Sequence, residues 1–238
     1  MMPVTLVVPC KDEALRLDRG AFLQAVESIP GLAFLFVDDG STDSTASVLA
    51  HLTKASMSID ALYLPKNVGK AEAVREGIRH LLSIGGTGLV GFWDADLATP
   101  LEVVRRFAAA FEDDPNLIMV IGSRWPHLGA SVDRSAFRSY TGGVMKFLIR
   151  CLLSAPIYDT QCGAKVMTRA LAERLFARRF VSRWLFDVEL FRRMERREIL
   201  CGVRELPLDS WRDVAGSKMT FRSAAFSVFD LLRIALTR

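Results

Sequence analysis

Two pairs of aspartates in the first hundred residues each follow directly after a run of apolar residues. Asp38 and Asp39 follow "FLFV", and Asp94 and Asp96 follow "GFW". Like charges placed side by side cost free energy unless a cation or hydrogen-bond donors lie nearby. If the apolar runs are parallel strands, both pairs reach one edge of the sheet, which is where open α/β sheets bind their ligands. The pattern therefore indicates aspartates that face a ligand.

The second pair has the spacing D-x-D. Carboxylate oxygens are the ligands that Mg²⁺ prefers, and such an ion often bridges protein carboxylates and substrate phosphates. Asp94 and Asp96 are therefore candidate ligands of Mg²⁺ or Mn²⁺. A D-x-D alone is weak evidence, since helix-capping aspartates produce the same string. If Asp94 and Asp96 bind the metal, we expect Asp38 and Asp39 to accept hydrogen bonds from a base or a ribose.

Two glycine motifs need separate interpretations. The stretch "GTGLVG" (86–91) matches G-x-G-x-x-G, but it enters a strand and does not open a helix, so we reject a dinucleotide-binding loop. Gly69 and Lys70 stand near a predicted helix start without a surrounding Walker motif. Such a helix N-terminus can hold an anion, although an ordinary cap with a solvated lysine fits equally well.

The elements that would position these residues alternate along the first half of the chain. Strands are predicted at 4–9, 33–37, 59–64, 88–93 and 117–122, with helices near 18–28, 43–54, 69–83 and 100–113. Strands that are apolar throughout fit a parallel sheet covered on both faces. Ser41 or Thr42 and the pair Thr99-Pro100 are the expected helix starts.

The pattern changes after residue 123. Segments 134–153 and 220–238 are amphipathic and basic. They either pack as ordinary domain helices or lie in a lipid interface. With no linker or repeat in the sequence, we predict a single domain over 1–238.

Composition narrows the classes of protein. The net charge of +4 and the pI near 9.0 suit an anionic ligand or a membrane surface. The four cysteines form no C-x-x-C pair and the three histidines are scattered, which predicts reduced thiols and no histidine metal cluster. The N-terminus lacks a signal-peptide pattern, and no run of about 18 apolar residues is present. We therefore expect a cytoplasmic protein that at most lies on a membrane.

The order of the motifs resembles the family 2 glycosyltransferases with the GT-A fold. The first-half motifs are "VVPCKDE", "VDDGSTD", "NVGKAEAVREG", "DAD" and "GSR". The later stretches "DTQCGAKVMTR", "RWLFDVEL" and "SWRDVAGSK" are similar to the dolichyl-phosphate β-glucosyltransferase branch and to related polyprenyl-phosphate glycosyltransferases. The resemblance covers nearly the whole chain. Asp12 replaces the usual asparagine, and Ala71 replaces a common glycine.

The resemblance implies an α/β, mostly parallel GT-A sheet with C-terminal amphipathic helices. It implies inverting transfer of a hexose, by the branch glucose from UDP-glucose, to a polyprenyl (dolichyl or undecaprenyl) phosphate with Mg²⁺ or Mn²⁺. Residues 1–123 would bind the nucleotide sugar, and residues 124–238 would face the acceptor and the membrane. The enzyme would be peripheral on the cytoplasmic face, without a nucleic-acid partner.

The resemblance also implies roles by position. The residues expected to act in catalysis are Asp94, Asp96, Arg124, Asp159 and Asp187, with Asp96 as the main metal ligand beside Asp94. Those of the nucleotide site are Pro9, Lys11, Glu13, Asp38, Asp39, Lys70 and Asp94. Those near the sugar are Asp159, Gln161, Cys162, Asp187 and Glu189. Those for the acceptor phosphate are Arg124, Arg134, Arg138, Ser217 and Lys218.

Alternatives stay open at this point. Asp187 and Glu189 could instead form helix-surface ion pairs with Arg192 or Arg193. A phosphate acceptor is already anionic, because its second pKa is about 6, so the role of general base is left unassigned. Other possible functions are a GDP-mannose-dependent polyprenyl-phosphate mannosyltransferase, a soluble GT-A transferase acting on a hydroxyl, and a non-catalytic nucleotide-sugar-binding subunit. A sugar-nucleotide pyrophosphorylase is disfavoured because its glycine-rich N-terminal signature is missing.

Overall fold

The computed structural model describes residues 1–125, 131–133, 148–153, 157–212 and 221–236. The strands in chain order are β1 (Val4–Cys10), β2 (Leu32–Asp38), β3 (Ile59–Tyr63), β4 (Leu89–Trp93), β5 (Met119–Ser123), β6 (Ser131–Asp133), β7 (Ala164–Thr168), β8 (Val203–Pro207) and β9 (Ser210–Arg212). Seven of them form one sheet in the order β3-β2-β1-β4-β7-β5-β8, and β6 pairs with β9 in a small second sheet.

Helices connect and cover the strands. They are α1 (Arg19–Ser28), α2 (Thr45–Ala55), α3 (Lys70–Ser83), α4 (Val103–Asp113), α5 (148–152), α6 (Arg169–Phe176), α7 (Phe186–Glu195) and α8 (Phe221–Leu236). A 3₁₀ turn at Leu200–Gly202 precedes β8. The described part of the chain contains no helix that is long and apolar enough to cross a membrane.

The sheet buries apolar side chains on both faces. Along β1, Leu6 and Val8 pack on one face with α1, α2 and α4, while Val7 packs on the other with α3, α6 and α7. Because a strand sends alternate side chains to opposite faces, only a sheet covered on both sides needs a run as apolar as "VTLVVP". The predicted mostly parallel sheet flanked by helices is confirmed. The single-domain assignment over 1–238 stays a prediction.

Two strands of the seven-stranded sheet, β7 and β8, were not predicted. β7 inserts between β4 and β5 and is antiparallel to both. Its side chains include Lys165, which is fully buried. Lysine is rarely fully buried, so a lysine within a short apolar run predicts an exposed position. For this reason the hydrophobic pattern did not indicate a buried strand at β7.

Both expected helix starts were wrong. The second helix begins after Ser44, because the Ser41 hydroxyl accepts from the backbone N–H of Asp12 and Thr42 donates to the Asp12 carboxylate. The fourth begins at Val103, since the carbonyl of Thr99 accepts from the Trp93 indole N–H. In both places tertiary hydrogen bonds take the groups that a helix cap would have used.

The turn before β4 confirms that "GTGLVG" opens no helix. Gly88 has a φ of +101°, and a Cβ there would lie 2.4 Å from the carbonyl oxygen of Pro3. The glycine is therefore required by a close backbone approach at the start of a strand.

The predicted C-terminal helix is confirmed as α8, and of the other amphipathic segment only 148–153 lies within the described residues. Leu231 and Ile234 of α8 are buried with the apolar residues of α7. Phe229, Leu232 and Leu236 are 60%, 59% and 82% exposed. Helix α8 thus both packs on the domain and keeps an apolar stripe open.

Gly77 supplies a test of how closely α3 sits on the sheet. A Cβ at this position would lie 2.6 Å from a Val7 methyl and 2.8 Å from a Val37 methyl. We expect Gly77→Ala to lower the free energy of unfolding by about 1–3 kcal/mol, because overpacking a buried contact outweighs the gain in helix propensity. Urea denaturation measures this difference.

Gly20→Ala in α1 is the matched control. Its Cβ would meet only Asp18 Oδ1, at an ordinary 3.5 Å. We expect it to be neutral or to stabilise the protein by less than about 1 kcal/mol. Equal unfolding free energies for the two variants would show that α3 can move away from the sheet without cost.

Candidate active site

A cavity of about 450 Å³ opens at the carboxyl ends of β1, β2 and β4. We call it the edge pocket. It lies where β1 and β4 are neighbours in the sheet although they are distant in sequence, as expected for a ligand site in an open α/β sheet. The residues that line it are Pro9, Cys10, Lys11, Glu13, Arg16, Asp39, Asn67, Gly69, Lys70, Asp94, Ala95, Asp96, Arg183 and Trp184.

The loop after β1 is fixed by the hydroxyl-rich stretch after β2. Asp12 Oδ1 accepts from the backbone N–H of Thr42 at 2.7 Å, and the N–H of Glu13 donates to the Thr45 hydroxyl at 2.8 Å. The first of these bonds and the neighbouring Lys11 lower the pKa of Asp12 to about 2. The run "GSTDST" therefore serves to hold the loop that carries Lys11 and Glu13 at the pocket.

The two aspartates after β2 take different positions. Asp39 lines the edge pocket, and its two oxygens accept from the backbone N–H groups of Val68 and Gly69 at 2.6 and 2.9 Å. Burial raises the pKa of Asp39, although these hydrogen bonds oppose the shift. Asp38 is not among the lining residues, and its carboxylate accepts from the N–H of Ser41. Its role in nucleotide binding stays a prediction without structural support.

Lys70 and Asp94 form a tight ion pair inside the pocket. Lys70 Nζ donates to Asp94 Oδ1 at 2.5 Å. Burial alone would lower the pKa of Lys70, but the charges of Asp94 and Asp187 raise it. Gly163 makes room for this arrangement, because a Cβ there would lie 1.8 Å from Asp94 Oδ2. The lysine is thus held as a cation at the N-terminus of α3, which excludes the interpretation as an ordinary solvated residue.

Asp96 faces the same pocket. Its Oδ1 accepts from the N–H of Ala98, and its Oδ2 lies 3.9 Å from Arg16 Nη2. Burial, and then the charge of Asp94, raise the pKa of Asp96. Leu97 next to it has a φ of +53°, a conformation uncommon for a side chain of this kind. A carboxylate held among negative charge in this way gains from binding a cation.

A second ion pair lies behind the pocket in the core. Lys165 Nζ donates to Asp187 Oδ1 and to the carbonyl of Cys162, both at 2.5 Å. The ammonium of Lys165 also lies 5.2 Å from the ring centroid of Phe92. Burial raises the pKa of Asp187, and Lys165 and Lys70 reduce that shift. The alternative in which Asp187 forms a surface ion pair with the arginines of α7 is therefore wrong, and its predicted sugar contact stays a prediction.

Arg124 is committed to Asp159 and does not line the edge pocket. Its Nε and Nη2 donate to the two carboxylate oxygens at 2.6 and 2.7 Å, and its backbone N–H donates to the same group. The guanidinium also lies over the Trp211 ring. The bidentate pair neutralises both charges, so the expected contacts of Arg124 with the acceptor phosphate and of Asp159 with the sugar stay predictions.

Three further sugar-site predictions lie away from the pocket lining. Cys162 is buried, which raises the pKa of its thiol to about 11, and its neighbour Gln161 is partly exposed. Glu189 accepts from Arg193 at 2.7 Å, as the ion-pair alternative predicted, and from the N–H of Val181. It lines a second cavity, separate from the edge pocket. The structure thus gives Cys162 a buried position and Glu189 structural contacts, and the sugar contacts of all three residues stay predictions.

Four lining residues with charged, amide or indole side chains had no assigned role in the sequence. They are Arg16, Asn67, Arg183 and Trp184. Arg183 donates to the side chain of Asn67 at 2.6 Å, and a Cβ on Gly69 would lie 2.6 Å from Arg183 Nε. The signal that could have found Arg183 is its place in "RWLFDVEL", four residues before the predicted site residue Asp187. Arg16 offered none beyond its nearness to the first motif.

The remaining acceptor-site predictions lie outside the described residues. They concern Arg134, Arg138, Ser217 and Lys218.

The chemistry of the pocket fits a divalent cation in part. Asp96 presents a carboxylate whose raised pKa reflects burial and the charge of Asp94, and a hard cation would compensate both. Asp94 is already bonded to Lys70, so fewer protein oxygens are available than a closed metal site needs. No group of three or more His, Cys, Asp or Glu side chains suited to a metal occurs among the described residues. To complete the coordination of a hard cation here, oxygens of a phosphate-bearing ligand would have to join the carboxylate of Asp96.

Comparison with known proteins gives consistent results. The model of glycosyl transferase family 2 matches residues 5–176. A dolichyl-phosphate beta-glucosyltransferase of Trichomonas vaginalis is 32% identical over 244 residues, which cover 98% of this chain and 70% of that protein. The enzyme of the same name from Drosophila melanogaster is 35% identical over 242 residues, covering 92% of this chain and 70% of its own length.

Solved structures agree on the fold. The glucosyl-3-phosphoglycerate synthase of Mycobacterium tuberculosis superimposes with a TM-score of 0.72 at 14% identity, covering 100% of this chain and 82% of that one. Its complex with Mn²⁺, UDP-glucose and phosphoglyceric acid gives a TM-score of 0.68 at 14% identity, covering 98% and 80%. The predicted GT-A fold is confirmed.

The buried pair Lys165–Asp187 can be tested directly. We expect Lys165→Met to lower the free energy of unfolding by about 3–5 kcal/mol, because it leaves the Asp187 charge buried without its partner. The deficit should shrink as the pH falls toward about 4, since a carboxyl with a raised pKa takes up its proton earlier in the folded than in the unfolded state. Urea denaturation across this pH range measures both effects.

Lys54→Met on the exposed end of α2 is the control. We expect it to change stability by less than about 0.5 kcal/mol. A small cost for Lys165→Met at neutral pH, or a deficit that grows on acidification, would contradict the assignment of a charged buried pair.

Proposed function

Because this chain belongs to glycosyltransferase family 2, we propose that it transfers glucose from UDP-glucose to a polyprenyl phosphate of the dolichyl or undecaprenyl type. The observation that supports this most is that relatives named dolichyl-phosphate beta-glucosyltransferase align over nearly the whole chain at 32–35% identity. The alignment includes the segments that build the edge pocket. The edge pocket is then the site of the nucleotide-sugar donor.

The side chains of the pocket suit a nucleoside diphosphate. Lys11, Arg16, Lys70 and Arg183 contribute positive charge to its lining. Lys70 stands at the start of α3, where backbone N–H groups and the helix dipole favour a phosphate. Asp39 and Glu13 offer carboxylates that can accept hydrogen bonds from the base or the ribose. The diphosphate would lie near Lys70, Arg16 and Arg183, and the nucleoside near Asp39 and Glu13.

The proposed reaction is a displacement at the anomeric carbon. An oxygen of the lipid phosphate attacks that carbon as the bond to the UDP oxygen breaks, and the configuration inverts. A phosphate nucleophile is already ionised near neutral pH, so the protein needs cations that hold two anions together more than it needs a base. Lys70, held charged by Asp94 and Asp187, supports this role.

A divalent cation completes the proposed site. Asp96, with Asp94 beside it, would hold Mg²⁺ or Mn²⁺ against the donor diphosphate. When bound, such an ion stabilises the negative charge of the departing nucleoside diphosphate. The related complex with Mn²⁺ and UDP-glucose makes Mn²⁺ the ion to test first.

A lipid acceptor implies work at a membrane surface. We place the enzyme, as part of the same proposal, at the cytoplasmic face as a peripheral protein. The exposed apolar stripe of α8 supports contact with lipid, since Phe229, Leu232 and Leu236 lie on one side of the helix.

The test uses purified protein, Mn²⁺ and polyprenyl phosphate in detergent. Radiolabelled UDP-glucose and GDP-mannose are supplied separately, and label is counted in the organic phase with and without the lipid. We expect lipid-dependent, metal-dependent transfer from UDP-glucose. Transfer from GDP-mannose alone would overturn the proposed donor. Release of free UDP without label in the lipid would overturn the proposed acceptor.

Asp96→Asn and Asp113→Asn are compared in the same assay. Asp96→Asn should reduce transfer by about 100-fold or more, because it removes the charge that holds the metal without changing core volume. Asp113 is exposed at the end of α4, and its replacement should leave the rate unchanged. Normal turnover by Asp96→Asn would show that Asp96 does not bind the metal.

A further inference from the structure

A second cavity, of about 460 Å³, is lined mostly by arginines. The end of α6 and the loop after it contribute Arg174, Arg178 and Arg179. Helix α7 and the turn after it contribute Arg192, Arg193, Arg196 and Arg197. We call this cavity the arginine cleft. It shares no lining residue with the edge pocket, and the proposed transfer reaction does not use it.

Arg193 builds the floor of the cleft. Its guanidinium donates to the carbonyl oxygens of Leu175, Arg178 and Arg179 and to the carboxylate of Glu189. These bonds fix the loop after α6 against α7, and they engage both terminal nitrogens of the Arg193 guanidinium. Glu189 is the one carboxylate among the described residues that line the cleft, and Arg193 neutralises it. The cleft therefore has a rigid base whose own charge is balanced.

The exposed arginines at the rim of the cleft, in contrast, have little or no neutralising partner within the described part of the chain. Arg174 and Arg178 are exposed, and neither makes an ion pair or a side-chain hydrogen bond among the described residues. Arg179 is 83% exposed and lies 3.8 Å from Glu72. Segment 169–197 contains nine arginines and four carboxylates, a surplus larger than the net charge of +4 of the whole chain. Like charges gathered in a concave surface attract anions and repel one another without them.

An apolar surface adjoins the arginine cleft. Arg196 lines the cleft and also donates to the carbonyl of Ala235 in α8, so the last turn of α8 lies beside it. On α8, the exposed residues Phe229, Leu232 and Leu236 are spaced by three and four residues and therefore share one face. The opposite face is buried in the core.

We propose that the arginine cleft and the exposed stripe of α8 together dock the protein on a membrane that contains anionic phospholipids. The guanidinium groups of Arg174, Arg178 and Arg179 bind lipid phosphates, for which their planar fork is well suited. The stripe of α8 inserts its apolar side chains among the acyl chains beside them. The inference rests on the proposed function only in that a membrane-bound acceptor gives the docking its purpose.

The apolar stripe decides between a lipid surface and other anions. A soluble phosphate or nucleotide would use the cleft alone and leave Phe229, Leu232 and Leu236 in water. An acidic protein or nucleic acid could also meet the arginines, but the juxtaposition of basic and apolar surface is typical of segments that lie in the headgroup region. We therefore commit to anionic phospholipid.

Sedimentation with vesicles tests the proposal. Wild-type protein is mixed with vesicles of phosphatidylcholine and with vesicles of phosphatidylcholine and phosphatidylglycerol, and we expect binding to the anionic vesicles. The double variant Arg174→Gln/Arg178→Gln should lower the partition coefficient between vesicles and water about 25-fold. Each positive charge near the surface contributes about fivefold to that coefficient, and the variant removes two. Phe229→Ser/Leu232→Ser should weaken binding to the same vesicles by a comparable factor.

Arg19→Gln/Lys54→Gln is the control matched in charge. Both residues are exposed on α1 and α2, which cover the other face of the sheet, and their replacement should leave vesicle binding within about twofold of wild type. Equal loss in this control would show an effect of net charge alone and overturn the proposal. Unchanged vesicle binding by the arginine variant would also overturn it. The proposal would also be overturned if inorganic phosphate abolished vesicle binding to the same extent in the wild type and in the Phe229→Ser/Leu232→Ser variant.

Activity separates this inference from the proposed function. With lipid acceptor in detergent, the arginine variant should transfer glucose at the wild-type rate, whereas with acceptor in anionic vesicles it should be slow. A wild-type protein that binds anionic vesicles through Arg174 and Arg178 but transfers no sugar in either assay would support docking and remove the proposed reaction. Slow transfer by the arginine variant in detergent would place these arginines in the active site and overturn the docking role.

Discussion

The desolvation of carboxylates at one edge of the sheet is the constraint on which this site depends. Asp39, Asp94, Asp96 and Asp187 lie in or behind the edge pocket, and burial raises the pKa of three of them. Buried charges are tolerated when they are paired. Here positively and negatively charged side chains alternate from the core outward. Lys165 holds Asp187, the charge of Asp187 acts on Lys70, and Lys70 holds Asp94. Asp96, at the outer end of this series, is the carboxylate with the least compensation, and this is why we propose it as the ligand of a metal ion that also binds a diphosphate.

The sheet topology makes this series possible. β1 and β4 are adjacent, so the loop with Lys11 and Glu13 faces the turn with Asp94 and Asp96. The insertion of antiparallel β7 beside β4 brings Lys165 under the pocket, and Gly163 just before it leaves space for Asp94. The same strand therefore supplies both the buried cation and the gap that the pocket carboxylate needs. Helix α7 packs on the same face of the sheet as α3 and α6, and from there Asp187 accepts a hydrogen bond from Lys165.

The first half of the fold and the edge of the sheet that carries the edge pocket could be predicted from sequence, because long apolar runs ending in polar residues have few other structural solutions. Asp39, Lys70, Asp94 and Asp96 were expected at one site and do line one pocket. Lys165 could not be predicted, since a lysine inside a short strand is buried only when a carboxylate distant in sequence is brought to it. Arg124 was expected to be open to a phosphate, yet Asp159 satisfies it through a bidentate pair that only the tertiary fold creates. Side chains with long-range partners are thus where reasoning from local pattern fails.

The central claim is that the alternating charges at this edge form a site for a nucleoside diphosphate and a divalent cation. A crystal structure of the protein with UDP and Mn²⁺, recorded at the manganese absorption edge, tests it most directly. The account predicts an anomalous peak bound by Asp96 and the diphosphate, with phosphate oxygens contacting Lys70, Arg16 or Arg183 and the uracil beside Asp39. A nucleotide bound outside the edge pocket, or a manganese peak away from Asp96, would contradict it.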